Sequence, residues 1–360
     1  MIANRQFVFA IASFIASTTL FTAYIAQIAK HNSWIILLLA GVLSLLVILL
    51  YSGLTKRFPK AGLMQIHSAV YGKKLGLFLN ILYIVFFLLL AFSTTRNVSN
   101  FFITYIMPET PINCIILFMT AACAFAVGTG MKNLFRNACF FFLLAASITL
   151  TNFFLLIPKM HLSNFLPLLQ IGWDTYCQGT LSVASVQFCE IIAFLSFLPF
   201  LPENTNTGRA LIYGLLLGIG INLLTFVQDI AVLGVSVSYL STPSYESVRL
   251  IHVMDVFTRL EILYAFLMLV LHIFKISILY CAIIQCIRDA FHPRFSSNLP
   301  LVLSVGIVIA LCAIFFFSTG IHLPQWRRNT GMYVFSAFEI ALPLITFLIA
   351  LCRRKTLNKN

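Results

Sequence analysis

Ten apolar runs follow one another along this chain with only short connections between them, each near the roughly 20 residues an α-helix needs to cross a bilayer. They cover 7–28, 34–54, 76–97, 112–129, 138–158, 181–201, 210–235, 261–287, 299–318 and 333–352. Hydrocarbon offers no water to backbone N–H and C=O groups, so such runs must close their hydrogen bonds internally, as helices. Of 360 residues, 61% are hydrophobic and 9% are charged, and the mean hydropathy is +0.99. That composition excludes a soluble domain. The expected fold class is an all-α integral membrane protein with ten transmembrane helices in a single transmembrane domain over 1–360. Arg5 precedes the first run and no small-residue cleavage motif closes it, so this run is expected to be a retained span.

A net charge of +13 invites a nucleic-acid reading, but the placement of the basic residues answers to the membrane. With the N-terminus inside, the inner segments carry fifteen: Arg5, Lys56, Arg57, Lys60, Lys73, Lys74, Lys132, Arg136, Arg209, Arg288, Arg294, Arg353, Arg354, Lys355 and Lys359. The outer segments carry seven, namely Lys30, Arg96, Lys159, Arg249, Arg259, Arg327 and Arg328, and Lys275 lies within a run. Basic residues concentrate in cytoplasmic loops, so both termini are expected in the cytoplasm, with lipid and not nucleic acid as the partner. Nine cysteines are scattered, mostly in apolar runs, with no C-x-x-C pair. They read as small core residues, neither a disulfide framework nor a metal site. No G-x-x-x-x-G-K-[ST], H-E-x-x-H or G-x-S-x-G occurs, so no enzyme, metal or cofactor is expected.

Two connections are more than turns. Residues 58–72, FPKAGLMQIHSAVYG, have apolar positions at helical spacing between basic clusters and read as an interfacial helix on the inner face. Residues 242–259 set Val248, Ile251, Val253 and Val256 among Glu246, Arg249, Asp255 and Arg259. They read as a short amphipathic helix over the outer face, a lid or collar.

The run that organises the rest is 181–202, LSVASVQFCEIIAFLSFLPFLP. Five runs precede it and four follow, so it opens the second half of a five-plus-five chain, with repeat one over about 7–158 and repeat two over about 181–352. It carries Gln187 and Glu190 near its middle. A carboxylate at that depth is tolerated mainly facing protein or water, and it marks a ligand or proton site or a buried packing contact. The first run, opening the other half, holds Ser13, Ala16, Ser17, Thr18, Thr19 and Thr22. Such a cluster either supports a helix break that exposes backbone to a small zwitterion or permits close helix packing. Polar interruptions in corresponding helices of two halves point to a transporter-type binding site. Lys275 sits mid-run with His272 three residues before it on the same face. It either pairs with a carboxylate such as Glu190, replaces a bound cation, or snorkels. Tyr83 reaches a central site or lies at the interface. Asn222, Thr225 and Asp229 share a face, and Asp229 and Glu339 fall nearer the membrane ends, where structural roles are expected.

Several segments together resemble one family. RQFVFAIASFIASTTL opens the chain and LTKRFPK follows the second run. FCEIIAFLSFLPFL lies in the sixth, and PSYESVRLIHVMDVFTRLEILYAFLMLVLHIFKISILY leads into the eighth. The chain is similar over nearly its whole length to the B subunit of nutrient germinant receptors of endospore-forming bacteria (GerAB/GerBB type), relatives of amino-acid permeases of the APC superfamily. The resemblance implies a LeuT-like five-plus-five inverted repeat with helices 1 and 6 broken at the midplane, beside helices 3 and 8. It implies a nutrient germinant bound among Ala16, Ser17, Thr18, Thr19, Tyr83, Gln187, Cys189 and Glu190. Lys275, His272 and Glu190 are then a coupling group or a substitute for an ion site. It further implies an A subunit and a lipoprotein C subunit as partners, in the spore inner membrane. The chain departs from the family pattern at Ala16 and Cys189, where glycine is usual, which implies a smaller or reshaped pocket. An autonomous proton-coupled amino-acid permease is the alternative.

The charge count yields one direct test. A cysteine-labelled tag at Asn360 is expected to resist impermeant reagents applied to intact cells, and efficient labelling from outside would invert the topology.

Overall fold

The computed structural model describes residues 1–18, 22–167, 171–203, 205–251, 260–291, 299–316 and 326–353. Among them the regular structure is entirely helical. In chain order the helices are α1 (Asn4–Ala16), α2 (Thr22–Ala29), α3 (Ser33–Arg57), α4 (Leu63–Tyr71), α5 (Lys73–Tyr105), α6 (Ile112–Gly128), α7 (Met131–Leu156) and α8 (Trp173–Val183). They continue with α9 (Thr207–Leu233), α10 (Pro243–Arg249), α11 (Leu260–Phe291), α12 (Leu299–Phe315), α13 (Met332–Ser336) and α14 (Leu342–Arg353). Helical structure lies under each of the ten apolar runs. Seven helical stretches are long and apolar enough to cross a membrane, while α6 and α12 are shorter apolar helices. The protein is a multi-pass membrane protein.

Burial locates the centre. In the stretch Trp173–Phe200, 94% of the apolar window is buried, and in α11 83%, against 28% for Met332–Cys352. The first two therefore face protein, and the last presents much of its surface outward, where apolar side chains suit lipid. Around this centre α1 packs on α9 and α7, α5 on α11, and α3 on α9.

The α1–α9 contact depends on small residues. A Cβ added at Gly214 would lie 2.6 Å from Ile11 Cβ, and one at Gly218 would lie 2.5 Å from Ile15 Cβ. Two glycines four apart clear one stripe of α9 so that the α1 backbone can approach, the association mode available to helices without a hydrophobic driving force between them.

Both amphipathic connections carry helices tied to the bundle. In α4, the ring of His67 bonds Asn80 Oδ1 on α5 at 3.0 Å, and Asn80 Nδ2 donates to the Met64 carbonyl at 3.3 Å. Burial lowers the His67 pKa to about 4, so this tether is neutral at physiological pH. In α10, Ser244 and Ser247 donate to the two carboxyl oxygens of Asp229 on α9, at 2.5 and 2.7 Å. Residues 252–259 of the expected outer helix lie outside the described residues.

Two basic residues counted with the outer segments are buried. Arg96 lies within α5, which continues to Tyr105; it is buried, and its Nη1 donates to the Ala313 carbonyl of α12 at 3.2 Å. Arg327 is buried in a π-helical turn, Arg327–Gly331, before α13.

Gly218→Leu is expected to destabilise the folded protein by about 1–3 kcal/mol through overpacking, lowering its thermal unfolding midpoint in detergent. Gly220→Leu, at a position with nothing within 4 Å of an added Cβ, is the control and is expected to be neutral.

Candidate functional site

Within the first apolar run, α1 extends to Ala16 and α2 begins at Thr22. Ending a helix inside a membrane protein orphans its last carbonyls, which then need other donors. Ser17 Oγ donates to the Phe14 carbonyl at 2.7 Å and Thr18 Oγ1 to the Ile15 carbonyl at 2.6 Å. Asn222 reaches in from α9: its Nδ2 donates to the same Ile15 carbonyl at 3.0 Å and to Thr18 Oγ1 at 2.9 Å. Ser17 and Thr18 are fully buried. Thr19 lies outside the described residues.

The stretch Trp173–Phe200 changes winding partway. It is α-helical to Val183, forms a π-helical turn over Ala184–Phe188, and tightens to 3-10 geometry from Cys189 to Phe200. Such irregular winding aims side chains that a uniform α-helix would place elsewhere, and π turns are frequent at functional sites. Gln187 is in the π turn, buried, with no hydrogen-bond partner for its Nε2 among the described residues. Cys189 is buried with its Sγ 3.7 Å from Ser44 Oγ.

Glu190 follows, and here the two halves of the chain meet. Lys275 Nζ on α11 lies 2.5 Å from Glu190 Oε2, with side-chain exposures of 0% and 3%. The same ammonium sits 4.8 Å from the centroid of the Phe14 ring on α1, a cation–π contact strengthened by desolvation. Phe14 in turn meets Phe194 edge-on at 5.3 Å. Of the arrangements left open for Lys275, the geometry is pairing with Glu190, and snorkelling is not observed. His272, one turn before, donates from Nδ1 to the Met268 carbonyl at 2.8 Å, a local bond that fixes its tautomer.

Tyr83 has a partner of its own. Its hydroxyl donates to the Phe338 carbonyl at 2.7 Å, and Tyr51 of α3 donates to the Glu339 carbonyl at 2.5 Å. Both carbonyls belong to a π-helical turn, Ala337–Ala341, between α13 and α14. Two tyrosines from different helices thus donate to adjacent carbonyls of one turn. Phe86 stacks on Phe338 at 4.7 Å.

Glu339 lies in the same π turn. Its side chain is fully buried and lies in electrostatic range of Glu190 and Lys275. Asp229 has the structural role expected of it, holding α10. Asn222 and Glu339 are the site neighbours that sequence reasoning undervalued. The signal for the first was its position four and eight residues after Gly218 and Gly214. For the second, no local pattern in AFEIALPL announces the π turn.

Removing one partner of a buried pair leaves an uncompensated charge at a cost of about 3–5 kcal/mol. Glu190→Gln and Lys275→Met are each expected to reduce membrane abundance sharply, and the double variant to recover it. A double variant no better than Lys275→Met alone would mean that Glu190 is not the partner that matters.

Comparison with known proteins follows this geometry. The family model described as spore germination protein (spore permease) matches residues 1–319. The chain is 23% identical over 363 aligned positions to spore germination protein KB of Bacillus subtilis strain 168, covering 99% of this chain and 96% of the relative. Spore germination protein B2 of the same organism is 22% identical over 238 positions, or 64% of this chain and 62% of that one. In fold, the chain is similar to the nucleobase-cation-symport-1 family transporter MHP1 in a closed conformation with bromovinylhydantoin bound. The TM-score is 0.73 at 12% identity, over 98% of this chain and 79% of the transporter. A manganese transporter of Eremococcus coleocola gives a TM-score of 0.61 at 11% identity, over 95% and 77% of the two chains. These relatives and neighbours are germination proteins and transporters rather than enzymes. On the match along most of its length, the chain belongs to the spore germination protein family, built on a transporter-type helical fold.

Proposed function

We propose that this protein is the B subunit of a nutrient germinant receptor, which binds a small nutrient at the membrane midplane and triggers spore germination. The reading takes the ten helical runs as ten spans in a five-plus-five inverted repeat, with the first and sixth interrupted. The nutrient, an amino acid on this reading, lies between the end of α1 and the π turn that carries Gln187. The observation that supports it is the junction itself: Lys275 of α11 meets Glu190 of the 173–200 stretch and Phe14 of α1, and the buried Gln187 Nε2 three residues before Glu190 has no hydrogen-bond partner among the described residues. A ligand carboxylate would take the Gln187 amide and the backbone donors where helical pairing is interrupted, and a ligand that fills the gap would bias how the segments pack. An A subunit and a lipoprotein C subunit would relay the change, in the spore inner membrane with both termini in the cytoplasm.

The second reading is an autonomous proton-coupled amino-acid permease. The likeness in fold to a cation symporter with a small molecule bound favours it, although fold alone does not decide function. Neighbouring genes for a large membrane subunit and a lipoprotein would favour the receptor.

Replacing Thr18 or Gln187 by leucine is expected to raise the germinant concentration for half-maximal germination while leaving protein level unchanged. The measurement is a dose response on spores over a panel of amino acids, sugars and nucleosides. Unchanged responses in both variants would remove the ligand from this position.

A further inference from the structure

The carboxyl of Glu339 has no part in the nutrient site above. It is fully buried, and neither of its oxygens has a hydrogen-bond partner among the described residues. The two nearby hydroxyls do not serve it: Tyr51 and Tyr83 donate to the backbone carbonyls of Glu339 and Phe338. The groups in electrostatic range of it are Glu190 and Cys189 from the 189–200 segment, Lys275 from α11, Tyr51 from α3 and Tyr83 from α5. His272 on α11 and Arg327 before α13 stand in electrostatic range of Lys275. The Lys275 ammonium is held by Glu190 at 2.5 Å. Among the described residues an ionised carboxylate here has no hydrogen-bond donor, whereas a neutral acid group costs less to bury.

We propose that Glu339 is a proton-binding site, and that its proton decides how firmly Lys275 is committed to Glu190. With the acid protonated, the ammonium faces one ionised carboxylate. When the proton leaves to water, Glu339 becomes a second anion competing for the same ammonium, so proton loss weakens the hold of α11 on the 189–200 segment. By linkage, any ligand that favours the Glu190–Lys275 pair also favours proton uptake at Glu339. This deepens the ligand-sensing reading by naming an ion that acts beside the nutrient, but its test needs no germinant.

The full chain, purified and reconstituted in lipid vesicles, is compared at acid and alkaline pH by infrared difference spectroscopy. Wild type is expected to show the carbonyl band of a protonated carboxylic acid that disappears on alkalinisation. Glu339→Gln, the neutral isostere, is expected to accumulate normally and to lack that band, while Glu190→Gln/Lys275→Met and Asp229→Asn keep it. The unfolding midpoint of wild type is expected to fall with rising pH through the same transition, a component absent from Glu339→Gln. A band that survives in Glu339→Gln would assign the proton to Asp229 or Glu190 and overturn the proposal. So would a wild type with no titrating band, or a Glu339→Gln variant that fails to accumulate. Unaltered germination in the Thr18 and Gln187 variants would remove the nutrient site and leave this proton site standing.

Discussion

An ammonium cannot remain alone in a low-dielectric interior, and the centre of this protein is arranged around that constraint. Lys275 is completely enclosed and is met by Glu190 from the irregular 173–200 stretch and by the Phe14 ring from α1. Attraction between two charges grows as the dielectric falls, but so does the penalty for bringing them there. A pair of this kind therefore adds less to net stability than to specificity. It selects the one arrangement of three helices in which neither charge is stranded.

Backbone follows the same logic as side chains. Where α1 ends and at the π turn before the last helix, side chains donate to backbone carbonyls. The chain supplies Asn222, Thr18, Tyr51 and Tyr83 to meet them. Irregular backbone at this depth persists only where such donors are within reach. Polar residues in the apolar helices serve different needs: Asn222 completes a neighbour's backbone, Glu190 compensates a charge, and the Gln187 Nε2 has no hydrogen-bond partner among the described residues.

The sequence made the helical regions legible because apolar run length is a strong signal in a membrane protein. Glu190 and Lys275 could be picked out because charge at mid-run has few explanations, and their partnership was one of the options stated. Other features were not readable. The donation of Arg96 to the Ala313 carbonyl of α12 joins residues 217 positions apart, which no local pattern shows. No local pattern announced that a π turn over 337–341 would go with full burial of the Glu339 side chain. Tyr83 was a candidate ligand contact, and its donation to the Phe338 carbonyl depends on a residue 255 positions away. The glycine stripe of α9 was visible as letters but acquired meaning only when α1 lay against it.

That stripe has a consequence for how the gene can change. Gly214, Gly218, Asn222 and Asp229 fall along one face of α9 and serve, in order, the α1 backbone, the end of α1 and the serines of α10. Inserting or deleting a single codon ahead of them would rotate the face by about 100° relative to the preceding turns. The glycines would turn outward while larger residues struck α1, and the amide and carboxylate would miss their partners in the same event. Point substitutions along α9 fail one contact at a time, but a shift of register fails them together, so insertions and deletions in this lineage should collect in the connections and leave the length of α9 untouched.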